Sequence, residues 1–128
     1  MEHYSSIVMV DSYLVADLRY EVIHTGNESF SLVAYDMHHQ MYLYHASLYK
    51  EEIIGKFHLR ISSIGMHGMI DKHMHSWLFD NADDAMKKIE KYTKTVCNNF
   101  RNEYETNRYK TKYEINNMLQ SLIAVDNN

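Results

Sequence analysis

The chain has 128 residues, of which 45% are hydrophobic and 23% charged, and its formal net charge is −4. These values are typical of one soluble globular domain spanning 1–128. They give no support to phosphate-backbone binding by the molecule as a whole, although they leave room for a local basic patch. No apolar run approaches the roughly 18–20 residues of a membrane helix, and the N-terminus lacks the features of a secretion signal. We therefore expect a cytoplasmic location, no membrane partner and no strong direct nucleic-acid binding.

Residues of about 5–79 predict antiparallel strands joined by short turns. β-branched and apolar residues alternate with polar ones in several runs, and Gly, Asn and Asp mark the turns between them. The runs are Ser6–Val15, Leu18–His24, Ser29–Tyr35, Met41–Tyr49, Lys56–Ile64 and Met69–Phe79. Because no segment of helical length separates these runs, the pattern predicts a meander of five or six antiparallel strands.

Alternation within the strands predicts which side chains face the core. An inward face is expected for Phe30, Leu32, Leu43, Phe57, Leu59 and Ile61. The fifth run alternates these with His58, Arg60 and Ser62, which are expected to face outward. In the last run, His73, His75, Trp77 and Phe79 are expected to share one face.

The stretch from Trp77 to Phe100 predicts the end of the sheet followed by one long helix. Apolar and small residues recur there at the spacing of a helical face: Ala82, Ala85, Met86, Ile89, Thr93, Val96, Cys97 and Phe100. Either Asp80 or Asn81 is suited to cap the helix, which is predicted to span Asp80–Tyr104. The apolar face must be buried, and one face of the sheet is its natural partner. On that face the lone Cys97 is expected to be a buried, inert thiol.

A second amphipathic helix is predicted from Tyr113 to Val125, within a helical region of about 80–125. Residues 103–111 have no apolar rhythm and predict a break, although one continuous helix is an alternative because no Pro or Gly separates the two segments. The second apolar stripe consists of Ile115, Met118, Leu119, Leu122 and Ile123. It follows a helix that already covers the sheet, so we expect it to pair with another copy in a homodimer. The predicted class is α+β.

Familiar catalytic templates are absent from the sequence. There is no Gly-rich phosphate loop, no nucleophile elbow, no HExxH motif and no pair of cysteines. A Ser–His–acid arrangement is not visible in a sequence, since its members meet only in the fold. The sequence therefore predicts a protein that is not an enzyme and needs no cofactor.

Nine histidines suggest an alternative, a metal-binding protein or metalloenzyme. His73 and His75, two residues apart on one strand, would present two imidazoles to one metal ion. The competing interpretation is that these are scattered, solvent-facing or hydrogen-bonded strand residues.

Basic and aromatic residues form a second candidate site. Arg60 and Trp77 lie on strands, while Arg101, Tyr104 and Arg108 lie near the predicted helix break. Arginine beside aromatic rings is suited to gripping a phosphate or stacking on a base. The competing interpretation is that Arg101 and Arg108 are surface residues that pair with nearby glutamates.

The progression from a meander to WLF, an acidic cap and an Ala-Met-Lys-Lys-Ile-Glu-Lys helix resembles many small proteins of bacteriophages and low-GC bacteria. The resemblance covers about the last third of the chain. It implies a binding function, as in host-takeover factors, inhibitors of defence systems (anti-CRISPR proteins among them) and sponges for signalling nucleotides. With many Tyr, Met and Arg residues and no catalytic template, we expect a non-catalytic binding protein that recognises a host protein or a small anionic ligand.

Overall fold

The computed structural model describes residues 2–10, 13–22, 29–36, 41–51, 53–65, 69–107 and 111–125. Side-chain environments are described from residue 42 onward, and for the earlier strands the description covers the backbone pairing. In chain order the elements are β1 Glu2–Val10, β2 Tyr13–Val22, β3 Ser29–Asp36, β4 Met41–Glu51, β5 Lys56–Ile64, β6 Ile70–Phe79, α1 Ala82–Asn107 and α2 Lys112–Ala124.

The strands pair in antiparallel fashion and precede both helices, which confirms the predicted α+β class. β1 and β2 form a two-stranded sheet, and the other sheet has the order β3-β4-β5-β6. The predicted single meander of five or six strands is confirmed only in part: β4, β5 and β6 are the strands with described side chains, and β1–β2 pairs separately. The predicted core residues Phe30 and Leu32 lie outside the residues whose side chains are described.

The register of β4, β5 and β6 places side chains in rows across the sheet. Ser47 pairs with Arg60, which in turn pairs with Ser76, while Leu48 pairs with Leu59, which pairs with Trp77. Directly opposed residues of antiparallel strands project to the same side, so these two rows lie on opposite faces. We call the side of Leu48, Leu59 and Trp77 the inner face and the side of Ser47, Arg60 and Ser76 the outer face.

The inner face is the core side of the sheet, as the alternation predicts. Leu59 and Ile61 are fully buried, Phe57 is partly buried, and Tyr44, Ala46 and Leu48 of β4 join them. Fully burying a leucine or isoleucine stabilises a fold by about 1.5–3 kcal/mol. Burial of Leu59 and Ile61 confirms the inward side of β5 that the alternation predicts.

Register shifts in β4 and in β6 interrupt this alternation. In β4, Ala34 pairs with Tyr44 and Tyr35 with Tyr42, so Leu43 is an extra residue. In β6, Ile61 pairs with His75 and Ser62 with His73, so the extra residue falls between the two histidines. An extra residue re-aims the side chains around it. Leu43 and Tyr44 are consequently both fully buried although they are neighbours in sequence.

Helix α1 covers the inner face with the predicted stripe. The Asn81 side chain caps it by accepting a hydrogen bond from the backbone N–H of Asp84 at 2.9 Å. The buried residues are Ala85, Met86, Ile89, Tyr92, Thr93, Val96, Cys97, Phe100 and Arg101, while the predicted Ala82 is only half-buried. The helix ends at Asn107, a few residues beyond the predicted Tyr104. Cys97 is buried, as expected from its place on the stripe.

A buried hydrogen-bond chain joins α1 to the sheet. The Thr93 hydroxyl donates to the Ile89 carbonyl at 2.7 Å, as part of the helix's own geometry. Its only proton is then used, so the Tyr44 hydroxyl must be the donor in the buried Tyr44–Thr93 hydrogen bond. The polar groups that this contact brings into the core are thereby satisfied.

Helix α2 is a separate element, which agrees with the predicted break. Thr111 caps it by accepting a hydrogen bond from the N–H of Glu114 at 3.1 Å. Its stripe packs within the same chain: Met118, Leu119 and Ile123 are buried in the core, and Ile115 and Leu122 pack against it. The stripe therefore gives no reason for a second copy, and the homodimer stays a prediction.

Among the described residues, no helix has the length and apolarity needed to cross a bilayer.

Candidate functional site

The outer face carries a concentration of polar, reactive side chains. Reading along the register, Tyr49 pairs with His58, Arg60 lies between Ser47 and Ser76, and Ser62 lies between His45 and His73. Arg60, His73 and Ser76 are exposed, while His58 and Tyr49 are half-buried. Such a surface contrasts with the apolar inner face and is the candidate functional site.

His58 is the centre of a hydrogen-bond network that spans three strands. Its Nδ1 lies 3.0 Å from Glu51 Oε1 and 2.5 Å from the Tyr49 hydroxyl, both on β4. Its Nε2 contacts the Ser76 hydroxyl on β6. The Tyr49 ring leans over the imidazole, with 4.9 Å between ring centroids. The imidazole is therefore held at both nitrogens and on one side of its ring.

The proton positions in this network follow from the partners. An ionised carboxylate can only accept, so the Nδ1 proton is directed toward Glu51. In the neutral imidazole Nε2 then carries the lone pair, and the Ser76 hydroxyl donates to it. The side chains of His58 and Glu51 are 18% and 37% exposed, so the network is shielded from water on one side and open at Ser76.

Arg60 places an exposed positive charge beside this network. Its neighbours in the register are two serines, whose small side chains leave the guanidinium accessible. Among the described residues, Lys56 pairs with Asp80 at 2.8 Å and the Glu51 carboxylate contacts His58, and neither contact involves Arg60. A guanidinium without a carboxylate partner can bind an incoming carboxylate or phosphate with two hydrogen bonds.

Two further histidines on this face favour the neutral form. Burial lowers the pKa of His45, and burial together with the nearby positive charge of Arg60 lowers the pKa of His73. In both cases the charged imidazolium is disfavoured by its surroundings. Of Arg60, His45 and His73, Arg60 is therefore the residue that stays positively charged.

His75 has a different environment on the inner side of the sheet. Its ring stacks on Trp77 with 5.2 Å between centroids, and its Nε2 lies 2.7 Å from the Ile123 carbonyl of α2. A carbonyl oxygen only accepts, so Nε2 must be protonated. The Tyr92 hydroxyl donates to the same carbonyl at 2.8 Å. This cluster joins β6, α1 and the end of α2.

The predicted metal pair is not brought together as expected. The bulge places His73 opposite Ser62 and His75 opposite Ile61, which are consecutive residues of β5 facing opposite sides. The expectation that the two imidazoles share a face is therefore wrong, and Nε2 of His75 is already a hydrogen-bond donor. No group of three His, Cys, Asp or Glu residues suited to a metal ion occurs in the described part of the chain. A metal assay on untagged protein would test this alternative.

Of the five residues predicted to line a binding surface, the four that the structure describes do not form one surface. Arg60 is on the outer face, whereas Trp77 lies half-buried on the inner face with the Lys88 ammonium 4.6 Å from its ring centroid. Arg101 is only 8% exposed on α1, and Tyr104 packs against the core beside Phe100. Arg108 lies outside the described residues. The aliphatic part of the Arg101 side chain is long enough to be buried within a helical stripe. A prediction of exposure based on its charge alone is therefore wrong.

Glu51, Tyr49 and Ser76 belong to the site but were not predicted. Tyr49 and Glu51 lie on β4 and Ser76 lies on β6, the strands on either side of β5, so no local spacing links Ser76 to the other two. The useful signal was the outward alternation of His58 and Arg60, because it marks the face on which neighbouring strands must supply partners.

No significant match to this chain was found among known protein families, characterised proteins or solved structures.

Proposed function

We propose that this chain is a binding protein whose outer face recognises an anionic group, either on a small ligand such as a nucleotide or on a partner protein. The observation that carries this proposal is the exposed Arg60 guanidinium, which has no carboxylate partner among the described residues. The net charge of −4 gives little general attraction for anions, so binding must depend on this local charge.

The neighbours of Arg60 support recognition of an oxygen-rich anion. Ser47 and Ser76 flank it in the register, and the Ser47 hydroxyl is a suitable donor to a phosphate or carboxylate oxygen, while the Ser76 proton is directed to His58. The fork of the guanidinium would fix the orientation of the ligand, and the Ser47 hydroxyl would add a contact. A charge-assisted hydrogen bond is worth about 1.5–3 kcal/mol, which corresponds to about ten- to a hundredfold in affinity.

The kind of partner is suggested by the sequence. The resemblance of the last third of the chain to small bacteriophage proteins supports a cytoplasmic antagonist that inhibits a host defence or nucleic-acid-handling protein, or that sequesters a signalling nucleotide. Both targets present phosphate or carboxylate groups, so one anion-binding face serves either role.

Titration calorimetry with ATP and with inorganic pyrophosphate tests the anion-binding proposal, accompanied by native mass spectrometry of lysate-incubated protein. We expect Arg60→Gln to weaken binding about ten- to a hundredfold and Arg60→Lys to weaken it less, because lysine keeps the charge without the planar fork. Lys91→Gln, which removes the same charge from the exposed side of α1, is the matched control. Equal affinities for wild type and Arg60→Gln would refute the proposal.

A further inference from the structure

Ser76, His58 and Glu51 form an ordered chain of nucleophile, base and carboxylate on the outer face. The three residues come from three neighbouring strands, β6, β5 and β4. Ser76 Oγ contacts His58 Nε2, and His58 Nδ1 lies 3.0 Å from Glu51 Oε1. A hydroxyl is made nucleophilic by an adjacent imidazole whose other nitrogen is oriented by a carboxylate. We propose that Ser76 is an activated nucleophile that accepts an acyl group from an ester.

The proton arrangement suits this chemistry. Glu51 accepts from Nδ1–H and so fixes the tautomer in which Nε2 is free to take the Ser76 proton. Tyr49 contacts the same nitrogen at 2.5 Å and tilts over the ring, which restricts rotation of the imidazole. With the proton on Nδ1, the Tyr49 oxygen acts as an acceptor toward that nitrogen.

The residues of this chain differ in their exposure to solvent. Ser76 is exposed, whereas the His58 side chain is 18% exposed. An acyl carbon can therefore approach the hydroxyl from solvent while the base remains behind it. Arg60 lies directly opposite Ser76 in the register, at the spacing of cross-strand neighbours. The substrate class is accordingly an ester that bears a carboxylate or phosphate, and this charge preference rests on the proposed function.

The reaction would proceed in two balanced steps. Ser76 Oγ attacks the carbonyl carbon and passes its proton to His58 Nε2, the ester C–O bond breaks, and the leaving alcohol takes that proton. Water then attacks the acyl-serine, giving a proton to Nε2, and Ser76 Oγ departs and recovers it. Ester and water become acid and alcohol, with Glu51 holding the imidazole throughout.

The test is covalent labelling of the full chain with an alkyl fluorophosphonate. Attack by Ser76 forms an O–P bond and releases fluoride, and the adduct is located by intact-mass and peptide mass spectrometry. We expect one adduct, on Ser76, absent in Ser76→Ala and formed at least about a hundredfold more slowly in His58→Gln. Glu51→Gln should slow labelling and shift its pH profile, an effect that a purely structural role would not produce.

The control is Ser121→Ala. Ser121 is another exposed serine, but its hydroxyl donates to the Asn117 carbonyl and has no histidine partner in the hydrogen bonds of the described chain. Labelling of this variant should match wild type, and hydrolysis of p-nitrophenyl acetate should follow the same order among all variants. Circular dichroism establishes that each variant is folded, and Glu51→Gln keeps the test decisive if His58→Gln does not fold.

Absence of a Ser76 adduct in wild type, or equal labelling rates in wild type, His58→Gln and Glu51→Gln, would overturn this inference. Pyrophosphate binding by the wild type is measured separately. A chain that binds pyrophosphate and is not labelled would refute only the nucleophile, and a labelled chain that does not bind pyrophosphate would refute only the proposed function.

Discussion

The two faces of the β4–β6 sheet each hold a histidine within a network, and the networks differ in what lies at their open end. On the inner face, His75 donates to a helix carbonyl and stacks on Trp77, so both its polar and apolar surfaces are used by the fold. On the outer face, His58 accepts from a serine that is open to solvent. The first arrangement ties the imidazole to the packing of two helices, whereas the second leaves a serine hydroxyl exposed to solvent.

The largest expected loss of stability follows from a substitution in the core beneath the inner face. Ile89 is fully buried on α1, so Ile89→Asp introduces a charge that has no partner in the core. We expect a loss of more than about 3 kcal/mol in the free energy of unfolding, measured by urea denaturation. Lys91→Asp at an exposed position of the same helix should change it by less than about 1 kcal/mol. Similar small losses in both variants would mean that α1 does not pack as described.

Exchanging the two histidines for alanine sharpens the comparison. His75→Ala should cost about 1–3 kcal/mol in unfolding free energy, because the Ile123 carbonyl loses a donor and the ring leaves a gap beside Trp77. His58→Ala should cost less than about 1 kcal/mol, since its partners can bind water instead. The two variants should rank the other way in fluorophosphonate labelling. His58→Ala should abolish labelling, whereas the folded fraction of His75→Ala should still be labelled. The same order in both measurements would contradict the division of roles.

Tyr44 offers a smaller test of the inner network. Tyr44→Phe removes the donor to Thr93 and should cost about 1–2 kcal/mol in urea denaturation at neutral pH. Burial raises the pKa of Tyr44 well above the usual value of about 10, so the unfolded state loses this proton first as the pH rises. The associated stability is complete below about pH 10 and is lost above it. Tyr44→Phe should be less sensitive to alkali, and the exposed Tyr113→Phe should behave as wild type.

The smallest expected effect is on the stability of the fold in mildly acidic solution. Because the pKa values of His45 and His73 are lowered in the fold, the unfolded state binds more protons just below the usual histidine pKa of about 6.5. Stability is therefore full above that value and falls as the pH drops through it. In a double variant, His45→Gln with His73→Gln, the melting temperature should change less between pH 7.5 and 5.5 than it does in the wild type. An unchanged slope in that variant would exclude these two residues as the cause.

Periodicity predicted the elements well because burial repeats with the backbone. The stripe of α1 and the inward residues Leu59 and Ile61 were found from spacing alone. The bulge beside Met74 was not, since an extra residue leaves no mark in the alternation of that strand, and it reversed the face of His73 relative to His75. The Ser76–His58–Glu51 chain depends on the register of three strands. Register is set by tertiary packing and turn geometry, which local patterns do not contain.

The most direct test of a functional outer face is a two-dimensional ¹H–¹⁵N nuclear magnetic resonance titration of the wild-type chain with inorganic pyrophosphate. Saturable shifts should centre on the amides of Arg60, Ser76 and their outer-face neighbours, and they should disappear in Arg60→Gln. Shifts centred on the exposed lysines of α1, or no saturable shifts at all, would contradict the assignment of function to this face.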